Sequence, residues 1–109
     1  MSATSYALQR LSATLLAPLV LIHIIGMIIA IQGGISAEEI LGRTRGSWLW
    51  GGFYGLFVIA AAIHISVGLG NILAEWTSMS RGLIAGLAHG YAMLALILGL
   101  RAVYAVVLA

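Results

Sequence analysis

The sequence contains no cysteine, no lysine and no aspartate, and a single proline, Pro18, in 109 residues. Without cysteine the chain can form no disulfide, no thiolate metal site, no covalent c-type haem link and no iron–sulfur cluster of its own. Charge is scarce as well. Five arginines and three glutamates make up 7% of the residues and hydrophobic side chains 62%, against about 25% and 45–50% in an ordinary soluble domain. That balance excludes a water-soluble globule. The net charge of +2 is spread over several loops and makes no basic patch of the kind that nucleic-acid binding needs, so nucleic acid is not an expected partner.

What the chain does contain is three apolar runs, each of the roughly 20 residues required to cross a hydrocarbon core about 30 Å thick. The first, 11–32, is broken only by Ser12, Thr14, Pro18 and His23 before Gln32-Gly33-Gly34. It exceeds the 7–15 residues of a typical signal-peptide core and lacks a small-residue cleavage site, so it reads as a retained helix. Pro18 predicts a kink within it. A polar connector, Ser36 to Ser47, carries Glu38, Glu39, Arg43 and Arg45. The second run, 48–74, opens on Trp48 and Trp50, residues suited to the interfacial belt, and exits at Glu75-Trp76. The third, 82–107, follows Arg81 and is broken only by Arg101, which can snorkel.

The expected fold is an all-α membrane protein with a single three-helix transmembrane domain over 1–109. Arginines do not decide its orientation, since Arg10 and Arg81 lie on one side and Arg43, Arg45 and Arg101 on the other. No dehydrogenase or other soluble domain is expected, so chemistry in water is expected to fall to another polypeptide.

Each span carries one histidine, and an ionisable residue within a membrane is a functional-site hypothesis by default. Helical rise places His23 about 20 Å from the Arg10 end, His64 about 16 Å from the Glu75 end and His89 about 12 Å from the Arg81 end, so all three fall within one or two turns of a common depth. Imidazole is a good axial ligand for haem iron, and two imidazoles on different helices can hold one haem b. His64 has a slim strip in Ala60, Ala61 and Gly68, and His89 has one in Ala85, Gly86 and Ala92. His23 is flanked by Leu19, Val20 and Gly26. The plainer alternative is that the histidines hydrogen-bond across helix interfaces. On that view Gly82, Gly86 and Gly90, with Gly51 and Gly55, serve helix packing without a cofactor.

The segment from His64 through Gly68, Leu69 and Glu75 to Trp76 resembles the second-helix motif of the cytochrome b anchor subunits of succinate dehydrogenase and fumarate reductase. That motif reads H-x-x-x-G-[LIM], then usually arginine, with an acidic residue eleven positions after the histidine. Gly70 stands in place of the arginine and Glu75 in place of the usual aspartate. Gln9-Arg10-Leu11-Ser12-Ala13 similarly resembles the H-R-x-S-G opening motif of the larger anchor subunit, with Gln9 for histidine and Ala13 for glycine. Trp76 follows the acid where the smaller anchor subunit carries a tyrosine at its quinone pocket.

The resemblance implies a membrane anchor for flavoprotein and iron–sulfur subunits that passes electrons to quinone, commonly with haem b. It makes His64 an axial ligand and His23 the favoured second ligand. Flank size favours His89 instead, and a second anchor chain or another copy of this one is a further source. Arg10, Ser12, Glu75 and Trp76 form the expected quinone cluster on one membrane face. The alternative readings are a haemless anchor or assembly subunit and a pigment-binding photosynthetic subunit, the latter because Ala60 and Ala85 each precede a histidine by four. The expected location is a bacterial inner membrane, with lipid as a further partner.

Overall fold

The computed structural model describes residues 2–34 and 36–108. It is helical almost throughout, and no strand occurs among the described residues. Four α-helices, α1 (Ala3–Gln32), α2 (Ala37–Thr44), α3 (Trp48–Trp76) and α4 (Arg81–Val103), are followed by a π-helical turn, Tyr104–Leu108. Every α-helix begins on a serine. Ser2, Ser36, Ser47 and Ser80 each accept a hydrogen bond from the backbone N–H three residues on, satisfying one of the donors that a helix start leaves open.

Three of these elements, Ala3–Gln32, Trp48–Trp76 and Arg81–Leu108, are long and apolar enough to span a membrane. The second and third agree with the runs read from sequence. The first starts eight residues early, because the Ser2 cap carries the helix through the polar stretch that contains Gln9 and Arg10. α1 continues unbroken through Pro18. The 29 residues of α3 extend about 43 Å, the thickness of a bilayer with its headgroup layers. Trp48 and Trp76 at its ends are 90% and 82% exposed, as belt residues are. Trp50 is not one of them, since it lies stacked on Tyr54 at 5.7 Å.

The connector holds a helix that hydropathy alone did not reveal. Ser36 caps α2, Glu38 and Glu39 occupy its first turn and Arg43 its last, the charge order that suits a helix dipole. α2 is fastened to the π-helical turn: the Thr44 hydroxyl donates to Val106 O at 2.6 Å and the Gly46 N–H to Val107 O at 2.7 Å. Gly46 has φ +72°, a conformation that favours glycine.

α3 is the middle element, packed by α1 and by α4. The core is made of small side chains, chiefly Ala60, Ala62, Ala88 and Ala92, as expected where close van der Waals approach holds helices together in lipid. The α3–α4 seam closes on glycines. Gly70 faces the Ala88 methyl, and a Cβ on Gly99 would lie 2.6 Å from Val58 Cγ1. By contrast Gly82, Gly86 and Gly90 have open space before them, so that ridge faces away from the rest of the chain. Most of α1 is likewise exposed, with large aliphatics from Leu11 to Ile31 on its surface.

Candidate functional site

His64 is positioned by α1. Ser12, only 3% exposed, lies with its Oγ 3.3 Å from His64 Nδ1 and donates its own hydroxyl proton to Gln9 O at 3.1 Å. When that proton stays on Gln9 O, Ser12 Oγ accepts from Nδ1–H and Nε2 keeps its lone pair, the tautomer that a metal or a hydrogen-bond donor requires. His64 lines an open groove of about 700 Å³ with Gln9, Gly68, Asn71 and Tyr91 among its walls. The slim strip expected beside His64 is partly filled. Ala60 is packed away at 2% exposure, and the Gln9 amide covers Gly68, where a Cβ would stand 3.2 Å from Nε2. Gln9 Oε1 is buried with no hydrogen-bond partner.

His89 is held in a parallel manner, with Nδ1 2.8 Å from Ser66 Oγ. Ser66 stands two positions after His64 on α3 and therefore about 200° around the helix, so the two histidines sit on different flanks of α3.

His23 lies elsewhere. Its ring meets Tyr54 and Phe57 edge-on, with centroids 5.9 and 5.5 Å away. Those residues precede His64 by ten and seven positions, or about 10–15 Å along the helix. The common depth expected for the three histidines thus holds for His64 and His89 but not for His23. The expected depths count from Arg10, whereas α1 begins at Ala3, which moves His23 about 10 Å further in. His23 and His64 are therefore not placed to share one iron within this chain. Among the described residues no three His, Cys, Asp or Glu side chains gather as a metal-holding group.

The four residues expected to form a quinone cluster are not brought together. Ser12 is buried and engaged with Gln9 and His64. Arg10 is exposed two turns inside α1, with its guanidinium 5.8 Å from the Tyr6 ring. Glu75 and Trp76 lie exposed at the end of α3, seven or more positions past the residues that Gln9 and Ser12 touch. The one ion pair among the described residues is Arg43–Glu39, 3.4 Å apart on α2. Residues that sequence reasoning left without a role are Gln9, Tyr91 and Asn71 in the His64 groove and Tyr54 and Phe57 against His23, with Phe53 packed on both. The aromatic spacing from Trp50 through Phe53 and Tyr54 to Phe57, one face of a helix, was the available signal.

Comparison with protein-family profiles, with curated proteins and with solved structures returned no match.

Proposed function

We propose that this chain is a membrane-anchor subunit of a succinate dehydrogenase or fumarate reductase-like complex. In this reading His64 supplies one axial ligand to a haem b, and electrons pass from flavoprotein and iron–sulfur partners towards membrane quinone. The observation that carries it is the Ser12–His64 contact. A buried hydroxyl fixes the imidazole through Nδ1 and leaves Nε2 directed elsewhere, the outer-shell arrangement that orients metal-bound histidine. Haem, when bound, supplies one-electron transfer. The chain's own residues hold the imidazole in one tautomer, wall the groove with Gly68, Ile65 and Tyr91 and keep it within the apolar span. Because His23 stands two to three turns away and His89 faces another flank, the second axial imidazole in this reading comes from a partner chain.

A second reading is favoured by the pairing itself. Ser12–His64 and Ser66–His89 are two serine–histidine links across the α1–α3 and α3–α4 interfaces, and such links serve a haemless anchor equally well. An absorption spectrum of the purified protein, oxidised and dithionite-reduced, separates the two. Haem binding gives a b-type spectrum that His64→Ala abolishes and that His23→Ala leaves low-spin. A colourless protein, or an unchanged spectrum in His64→Ala, supports the haemless reading.

A further inference from the structure

Two adjoining cavities of about 300 and 210 Å³ are both bounded by His23, Ile40, Thr44 and Tyr54. Their remaining walls differ in kind. Arg43 and Trp50 line the smaller one, whereas Phe57, Val58, Val103 and Val106 line the larger. Arg43 stands in the last turn of α2 and Trp50 in the first turn of α3, so the smaller cavity lies at the edge of the span. Tyr54 and Phe57 follow about 6 and 10 Å further in along α3. The polar groups agree in sense. A guanidinium and an indole N–H can only donate, and the Tyr54 hydroxyl and one His23 nitrogen can donate as well. His23, Trp50 and Tyr54 make no side-chain hydrogen bond among the described residues, and each is half-buried. Arg43 gives Nη2 to Glu39 at 3.4 Å and keeps its other N–H groups, while Glu39 borders neither cavity. The Thr44 hydroxyl is engaged with Ile40 O and Val106 O. The lining therefore offers one cation, several donors and no acidic side chain, with hydrocarbon beyond them.

We propose that these cavities bind an acyl chain with an anionic head, the head on Arg43 and Trp50 and the chain running inward past Tyr54 and Phe57. The polarity has the direction of a bilayer leaflet, charge at the edge and hydrocarbon within, so such a ligand enters sideways without turning over. A small inorganic anion meets the donors but leaves the aliphatic cavity empty. A neutral chain fills that cavity but brings no charge to the guanidinium. A carboxylate or phosphate on a chain meets both demands, since arginine pairs with either and the head's remaining lone pairs can take Tyr54 or His23. Free fatty acids and acidic phospholipids share that chemistry. The site has no residue in common with the His64 groove and does not depend on haem.

The test uses the full chain, labelled with ¹⁵N-tryptophan, in neutral maltoside micelles at about pH 8, where a carboxylate is ionised. Dodecanoate, dilauroyl phosphatidylglycerol, dodecanol and dodecylammonium are titrated in turn. At least one acidic probe shifts the Trp50 indole resonance, while Trp48 and Trp76, exposed at the ends of α3, stay in place. That probe binds about tenfold more tightly than dodecanol, the value of one hydrogen bond to a charged group. Arg43→Gln erases the preference and leaves the fold intact, since the exposed pair it breaks with Glu39 is worth little. Glu39→Gln, which frees Arg43, retains it. Ala102→Phe, which fills the larger cavity, excludes acid and alcohol alike. A response to dodecanoate alone identifies a free acid, and one to the phospholipid an acidic membrane lipid. His64→Ala gives the same result as the unaltered chain, which separates this site from the haem reading. Equal binding of acidic, neutral and cationic probes, a preference indifferent to Arg43→Gln, or shifts at Trp48 and Trp76 as large as at Trp50, overturns the proposal.

Discussion

The two ends of the bundle treat their histidines in opposite ways. Towards the α3 C-terminus, His64 and His89 each rest on a serine from a neighbouring helix, so each ring has one nitrogen engaged. Towards the connector, His23 has no such partner and is framed by aromatic edges and empty volume. A serine hydroxyl orients an imidazole and selects its tautomer, whereas an aromatic frame orients the ring and leaves both nitrogens to an incoming group. The comparison shows that a histidine's presence in a span says little until its second nitrogen is accounted for.

The largest way to break this contrast is at the seam beneath the His23 cavity. In Gly99→Ala the new methyl falls within 2.6 Å of the stiff Val58 side chain, and overpacking of that kind costs about 1–3 kcal/mol. Unfolding in detergent should show that loss, restored in part by Val58→Ala, while Gly86→Ala, with open space before it, should stay near wild type. Thr44→Val comes next. It strips the donor from Val106 O and should cost about 1.5 kcal/mol, within the range for orphaning a buried acceptor. Faster hydrogen exchange in α2 with α1 amides unchanged is the expected pattern, and uniform destabilisation would show that α2 is not a separate unit.

Ser12→Ala and Ser66→Ala sharpen the serine end. Each should cost about 0.6–1 kcal/mol, the usual scale of interhelical polar links in membranes. If His64 holds haem as proposed, Ser12→Ala should also weaken haem retention about tenfold by freeing the ligand ring, which Ser66→Ala should not. Equal effects on haem would remove the distinction drawn between His64 and His89. The smallest effect is expected from Glu39→Gln on α2. Its pair with Arg43 is about 40% exposed on both sides, so a change in stability of no more than about 0.5 kcal/mol is expected by thermal unfolding.

The spans were legible because hydropathy over 20 residues is a strong signal, and Trp48–Trp76 and Arg81–Leu108 fall within two residues of the limits read for them. The start of α1 was not, because Thr4, Ser5, Gln9 and Arg10 dilute that signal while the Ser2 cap continues the helix. α2 was missed for the same reason, although Ser36 with Glu39 three positions on has the form of a capping box. The offset at α1 then propagated to the candidate site. It placed Arg10 at the membrane edge with Glu75 and Trp76, and it raised His23 to the level of His64. Which helix faces which is a pairwise property. The serine partners of His64 and His89 became visible only once α1 and α4 were docked on α3.

The bonds from Thr44 and Gly46 to the π-helical turn join positions some sixty residues apart in sequence. During synthesis the connector emerges and waits while two further spans are made, and its last donors find their acceptors only when the third span is in place. The fastening of α2 thus waits on both of the spans that follow it.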